Sequence, residues 1–330
     1  MRRIFKFVIR FFLLLIIAFV IFFFWASSST LNENEYSKLV EVDQFESPKA
    51  DSIYSIVTYN IGYLSGMTNN KAIDKSKKLF DDNLKKVQFE IKKVNPDIIA
   101  FQEIDFNASR SYNINQENEI ANLGYNYRAT SVNWDKKYLP FPYWPINMQF
   151  GKVVSGQSII SKYSLKDQQR VVLQRVAKTP YYRDAFYLDR LAQVVKVVLD
   201  KQEVVVINVH LEAFEKETRA RQFNKVLAIF NSYKKDYPTI LLGDFNSRAK
   251  DSDAIIHKIF AMEDVGNAAF NLNLLENTFD TKAPFERIDY IFYTKKSIKY
   301  VSGRVLNDFG QASDHLPVFM EFKLKWSKIY

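Results

Sequence analysis

Three patterns of apolar residues divide this chain. Residues 11 to 26 run without a charged side chain, and extending the run back to Ile4 adds only Lys6 and Arg10 as interruptions. A helix needs about 20 apolar residues to cross a bilayer, and flanking Lys or Arg side chains can reach the headgroups. No polar face is present to meet water, so residues 1–26 read as a membrane-targeting helix rather than a soluble core helix. Further on, Phe80, Leu84, Val87, Ile91 and Val94 recur at alternating steps of four and three. That spacing predicts an amphipathic helix ended at Asn95-Pro96. Phe223, Val226, Leu227 and Phe230 predict a second one following Phe214.

The third pattern is a series of short runs rich in β-branched and aromatic residues, at 55–60, 98–103, 158–161, 192–199, 204–209, 239–242, 288–293 and 318–322. Such runs favour strands over short helices. Asp200-Lys201 reads as the turn of a hairpin joining two of them. The order strand, helix, strand followed by hairpins predicts a layered α/β sandwich with mixed sheets and helices outside. Residues 27–51, rich in Ser, Glu and Asn, read as a tether. A single domain is expected from residue 52 to 330, because no repeat or second linker interrupts it.

Composition narrows the chemistry. Hydrophobic residues make up 47% and aromatic residues 15% of the 330, enough for a large core. The absence of cysteine excludes disulfides, thiolate metal sites and a cysteine nucleophile, so any metal must be held by oxygen and imidazole. Of the net charge of +9, Arg2, Arg3, Lys6 and Arg10 supply four charges. The remaining excess is spread thinly and reads as a solvated surface, not a nucleic-acid groove. Basic residues before the apolar run and none immediately after it predict a cytoplasmic N-terminus, with the rest of the chain outside the cytoplasm. Ala26-Ser27-Ser28-Ser29 also fits a signal-cleavage site. The run is longer than the apolar core of a cleaved signal, however, and ends in Phe22-Phe23-Phe24-Trp25, so a retained anchor is expected.

Polar words stand at the ends of the apolar runs. Glu103 follows the run from Ile98 to Phe101, and Asn60 ends the run before it; singly, these read equally well as a salt-bridge partner and a turn-former. Gly243-Asp244-Phe245-Asn246 follows Ile240-Leu241-Leu242 and alone would fit an Asx turn. Two of the three histidines lie in Asn208-Val209-His210-Leu211 and Ser313-Asp314-His315-Leu316-Pro317, whereas His257 reads as a surface residue. Asp289, in Arg287-Ile288-Asp289-Tyr290, is an unfavourable strand residue unless paired, and an ionised Asp can fix a histidine's tautomer and raise its pKa.

Together with Thr58-Tyr59-Asn60-Ile61 and Gln102-Glu103, these words occur in an order that resembles the endonuclease/exonuclease/phosphatase superfamily, over about residues 52 to 324. The resemblance implies a four-layered α/β sandwich of DNase I type, with two mixed sheets flanked by helices, and hydrolysis of a phosphate ester with Mg²⁺ or its substitute Mn²⁺. It implies Glu103 as the principal metal ligand, with Asn60 beside it and Asp314 near the metal. Asp244 and Asn246 would orient the attacking water and the phosphate. His315, held by Asp289, would be the general base or a phosphate contact, and His210 would bond phosphoryl oxygens or assist the leaving group. A hard cation that keeps several waters suits one or two carboxylates and a substrate phosphate.

Substrate choice is less legible. The aromatic, proline-rich stretch from Trp134 to Pro145 would serve to stack bases, to contact lipid or to pack as a stiff loop. Lys152, Arg183 and Arg190 read as surface salt-bridge residues, with phosphate contact as the alternative. The expected partners are therefore a phosphate-ester substrate, either nucleic acid or a phospholipid headgroup, and a membrane through the N-terminal helix; no obligate protein partner is implied.

Overall fold

The computed structural model describes residues 1–46, 53–271 and 276–325. In chain order its helices and strands are α1 (Arg2–Ser27), β1 (Ser37–Glu41), β2 (Tyr54–Asn60), α2 (Lys77–Val94), β3 (Ile98–Asp105), α3 (Gln116–Ala121), β4 (Tyr127–Leu139), β5 (Gly151–Ser161), β6 (Leu165–Val172) and α4 (Tyr181–Asp184). They continue with β7 (Leu191–Leu199), β8 (Gln202–His210), α5 (Lys216–Tyr233), β9 (Thr239–Asp244), α6 (His257–Phe260), β10 (Val265–Asn267), β11 (Asp289–Thr294), β12 (Ile298–Val305) and β13 (Val318–Leu324).

Two mixed sheets result, one ordered β1-β4-β5-β3-β2-β13-β12 and the other β10-β11-β9-β8-β7-β6. Strand alternation explains the layers. In β2 and β3, Ile56, Ile98 and Ala100 turn inward to meet Val204, Val206, Ile240 and Leu242 of the second sheet. Their neighbours Val57, Tyr59, Ile99 and Phe101 turn outward to α2, where Phe80, Leu84, Val87 and Ile91 form the expected stripe. On the far side, Val205, Ile207 and Leu241 pack against Phe223, Val226 and Phe230 of α5. The fold is the four-layered sandwich expected from the sequence, with one N-terminal helix apolar enough to cross a membrane.

Several elements were not anticipated. Part of the stretch read as a tether is edge strand β1, antiparallel to β4 from Ser37↔Ser131 to Glu41↔Tyr127; the expected junction at residue 52 lies outside the described residues. The first half of the aromatic stretch, through Leu139, belongs to β4. Its alternation is blurred by two breaks in register against β5, at Val132/Trp134 and Lys136/Leu139. The helix at 257–260 removes His257 from any polar cluster, and that residue is exposed.

Polar groups replace hydrocarbon between the sheets as the strands approach one edge. Gln102 Nε2 donates to Asn208 Oδ1 at 2.6 Å and to Thr58 Oγ1 at 3.1 Å, while Asn208 Nδ2 donates to the Phe101 carbonyl at 3.0 Å. Gln157 Nε2 reaches the Asn208 carbonyl at 3.0 Å and Asn208 Nδ2 also reaches Gln193 Oε1 at 3.2 Å. These buried amides bolt β3 to β8 beside the sheet edge where the functional words emerge. Parallel pairing of β8 with β9 brings Asp244 level with His210, and Asp289 of β11 stands opposite Asp244.

That pairing depends on Gly243, which lies at φ +136° with the Val209 carbonyl oxygen only 2.0 Å from where a Cβ would stand. Gly243→Ala is expected to lower the stability of the folded domain by about 3 kcal/mol or more, because only backbone could yield. Denaturant unfolding of the full chain in detergent would measure it, and an unchanged midpoint would contradict the account.

Candidate active site

Glu103 is brought out by a break in its strand. Residues Ile98 to Gln102 alternate regularly, but the β3–β5 register shifts between Phe101 and Ile104, and Glu103 takes φ 52°. A bulge of this kind re-aims one side chain at the cost of local strain. The neighbouring turn after β2 is similarly bent, with Tyr63 and Leu64 at φ 55° and 58°. Gly62 in that turn approaches the loop before β13 so closely that a Cβ would lie 2.7 Å from Asp314 Oδ1. Ser313 Oγ ties the same loop to β2 by donating to the Asn60 carbonyl at 2.8 Å.

Two carboxylates converge there on one amide. Asn69 Nδ2 donates to Glu103 Oε2 at 2.9 Å and lies 3.4 Å from Asp314 Oδ2. Burial and then the charge of Asp314 raise the Glu103 pKa, as expected for two neighbouring, partly buried acids. Asn69 has no counterpart in the sequence reading; it sits in an ordinary polar turn, and nothing in its surroundings marks it. Asn60 turns its Nδ2 to Asp244 Oδ2 at 3.0 Å, and its Oδ1 accepts from the Gly62 N–H at 3.1 Å.

Beside this pair lies a buried charge cluster. His315 Nδ1 is 3.0 Å from Asp289 Oδ2, and its Nε2 is 3.8 Å from Asp244 Oδ2. Burial disfavours the imidazolium, but Asp289 and Asp244 outweigh it and hold the His315 pKa well above its ordinary value. Burial and Asp289 push the Asp244 carboxyl up to about 7. Asn246, at φ 47°, donates its backbone N–H to Asp244 Oδ1 at 2.9 Å and its Nδ2 to the Leu211 carbonyl at 3.0 Å.

His210 is different. Its pKa is lowered by burial, by Arg190 and by His315, so it is neutral. Its Nε2, 2.6 Å from Arg190 Nη1, therefore accepts from the guanidinium. Arg190, expected as a surface salt-bridge residue, is instead buried at 6% exposure, with its Nε 3.6 Å from Glu212 Oε2. It stands at the head of β7, which the hairpin to β8 carries into the cluster opposite His210. The apolar run after it was the available signal. Lys152 and Arg183 remain partly or fully exposed.

The donor set fits a divalent cation in one place better than another. Asp244, Asp289 and His315 offer ligand atoms within 4.8 Å of one another, but all three are buried and the His315–Asp289 pair is already bonded. Glu103 and Asp314 are only partly buried and, among the described residues, form no ion pair with Lys or Arg, so they suit a hard ion that keeps water.

Glutamate, aspartates, amides and histidines gather at the edge of a two-sheet sandwich, an arrangement suited to phosphate-ester hydrolysis. The family model described as Endonuclease/Exonuclease/phosphatase family matches residues 57–315, and the chain belongs to that family. No curated protein sequence matches it. Among solved structures, an endonuclease/exonuclease/phosphatase from Beutenbergia cavernae is similar in fold, with TM-score 0.63 and 20% identity over 85% of this chain and 74% of that one. The human nocturnin catalytic domain with bound sulfate has TM-score 0.57 and 17% identity, over 90% of this chain and all of that one. Danio rerio (D. rerio) TDP2 complexed with a single-strand DNA product also has TM-score 0.57 and 17% identity, over 83% of this chain and 100% of that chain.

Two substitutions test the arrangement. Asp289→Asn should lower kcat by about 10²- to 10⁴-fold in protein that still folds, since the amide keeps the shape but not the charge that holds His315. Asn69→Ala should raise the divalent-cation concentration needed for half-maximal activity by about 10- to 100-fold, as loss of an outer partner of a metal ligand does. A cation titration in which this variant matches wild type would remove Asn69 from the site.

Proposed function

We propose that this domain hydrolyses phosphodiesters with a divalent cation, Mg²⁺ or in its place Mn²⁺, on the non-cytoplasmic side of a membrane to which α1 anchors it. The observation that carries the reading is the pairing of Glu103 and Asp314 about Asn69, directly beside the His315–Asp289 and Asp244 cluster. Glu103 and Asp314 would hold the cation, with Asn60 behind them. A bound divalent ion would polarise the phosphoryl group and screen its charge.

The chain's own groups supply the rest. His315, kept protonated by Asp289 and Asp244, donates to a phosphoryl oxygen; of the two roles expected for it, the direction of its pKa favours phosphate contact over general base. Arg190 presents a fixed guanidinium through His210, which suits the growing charge of the transition state. Asp244, poised near neutrality, takes the proton of the attacking water, and Asn246 holds that carboxylate through its backbone N–H. The water oxygen forms the new bond to phosphorus, the ester P–O bond breaks, and the leaving oxygen takes up a proton, giving a phosphomonoester and an alcohol.

Arg2, Arg3, Lys6 and Arg10 at the start of α1, with no basic residue in its last turn, support the topology. The substrate class at this level is a nucleic acid or a phospholipid headgroup. Hydrolysis of bis(p-nitrophenyl) phosphate by the full chain in detergent should require Mg²⁺ or Mn²⁺, stop with chelator and return on cation add-back. Glu103→Ala and His315→Ala should each lower it by about 10³-fold. Activity that persists in chelator, or folded protein that cleaves only phosphomonoesters, would overturn the proposal.

A further inference from the structure

The end of α1 is fastened to the domain, not hung from it. Trp25 stacks on Tyr138 at 6.5 Å, Phe22 meets the same ring at 5.8 Å, and Phe23 packs edge-on against Phe186 at 5.4 Å. Ala26 is fully buried. The chain leaving the helix is then strapped along β4. Lys136 Nζ donates to the Ser27 carbonyl at 2.9 Å and the Lys137 N–H to the Ser28 carbonyl at 2.9 Å. The Thr30 and Leu31 N–H groups donate to the Asp135 carboxylate at 2.8 and 2.9 Å, and pairing of β1 with β4 continues the strap. With no slack between span and domain, the edge that carries the last turn of α1 lies where that helix leaves the bilayer.

That edge carries exposed aromatic and aliphatic side chains outside α1. Tyr143, Trp144 and Ile146, in the β4–β5 loop, are 67%, 76% and 61% exposed, and Tyr181 and Tyr182 of α4 are 67% and 60% exposed. Residues 136 to 152 include three lysines and no acid. Aromatic rings with basic neighbours are the composition of a membrane-water interface, where the rings sit at headgroup level and the cations face anionic lipid; the carboxylate of α4, Asp184, is paired with Arg175 at 3.0 Å.

The active site opens on the same edge. Arg110 lies over Tyr63 at 3.5 Å and near Trp134 and Phe150 at 5.1 and 5.0 Å; its charge and the tyrosine both feel Glu103. Phe150 in turn packs on Phe141 at 5.4 Å, at the base of the exposed loop. From the other side, the segment after α4 supplies Tyr187, whose hydroxyl donates to Glu212 Oε2 at 3.1 Å, and then Arg190.

We propose that the β4–β5 loop and α4 seat the active-site edge on the bilayer, and that the phosphodiester hydrolysed is carried by a lipid of that membrane. This rests on the function proposed above. A site held at the headgroup layer meets lipid phosphates at a high local concentration, whereas polyanionic nucleic acid is repelled from an anionic surface.

The full chain, reconstituted in phosphatidylcholine/phosphatidylglycerol nanodiscs, tests this in two ways. Because the protein has no cysteine, Ile146→Cys and Lys235→Cys each create one thiol for an environment-sensitive fluorophore. The label at 146 should shift to the blue and be quenched by doxyl lipid, while that at 235, in the turn before β9 at the opposite end, should remain aqueous. A label at 146 as wet as that at 235 would overturn the docking. Separately, a Tyr143→Ser/Trp144→Ser/Ile146→Ser variant should hydrolyse disc phospholipid about tenfold or more slowly than wild type, with bis(p-nitrophenyl) phosphate turnover unchanged. Equal lipid turnover by the variant, or faster cleavage by wild type of a single-stranded oligonucleotide than of lipid, would overturn the lipid assignment and leave the phosphodiesterase reading standing. Inactivity of wild type on all three substrates would overturn both.

Discussion

Everything chemical in this protein depends on two sheets being held in one register at one edge. Hydrocarbon packing between Ile98, Ala100 and the valines of β8 drives the sheets together but does not by itself specify how far one slides past the other. The Gln102–Asn208 hydrogen bond and the amides around it do specify this, since a slip would strand buried donors and acceptors at a cost of about 1–3 kcal/mol each. Glu103 follows Gln102 directly and His210 lies two residues beyond Asn208. The same bolt therefore sets the separation of carboxylate and imidazole, whose Oε1 and Nε2 lie 3.8 Å apart.

Around that bolt, regular structure gives way where function begins. Glu103 and Asn246 adopt left-handed backbone conformations, and the turn through Tyr63 and Leu64 does so twice. Each is costly for a residue with a Cβ. The buried strands and the contacts of Ser313 and Asn69 hold these bends in place, so the acids remain aimed inward without substrate.

The electrostatics follow from this crowding. Glu103, Asp314, Asp244 and Asp289 accumulate negative charge that burial would make intolerable alone. Arg190 and protonated His315 offset part of it. Burial and Asp289 raise the pKa of Asp244, Asp289 and Asp244 raise that of His315 against burial, and burial with Arg190 and His315 lowers that of His210. The remaining imbalance is at Glu103 and Asp314, where the proposed cation would offset it. The apolar N-terminal helix adds a constraint of another kind: the chain leaving it is strapped to β4 through Asp135, which fixes the end of that helix against the domain.

Much of this was legible in the residues themselves. The helix stripes at 80–94 and 223–230, the strands that carry Asn60, Glu103, His210 and Asp244, and the apolar N-terminal helix all follow from local periodicity and composition, which act within one element. What the tertiary structure decided were relations between elements. Edge strand β1 arises only because β4 offers an open flank, and the register breaks of β4 hide its alternation. Asn69 matters because folding delivers an unremarked turn to two carboxylates, and Arg190 because the β7–β8 hairpin buries a residue that looks exposed by composition. Periodicity along the chain determines which face of an element is apolar; which polar groups then share a space depends on distances between strands remote in sequence, and these only packing can set.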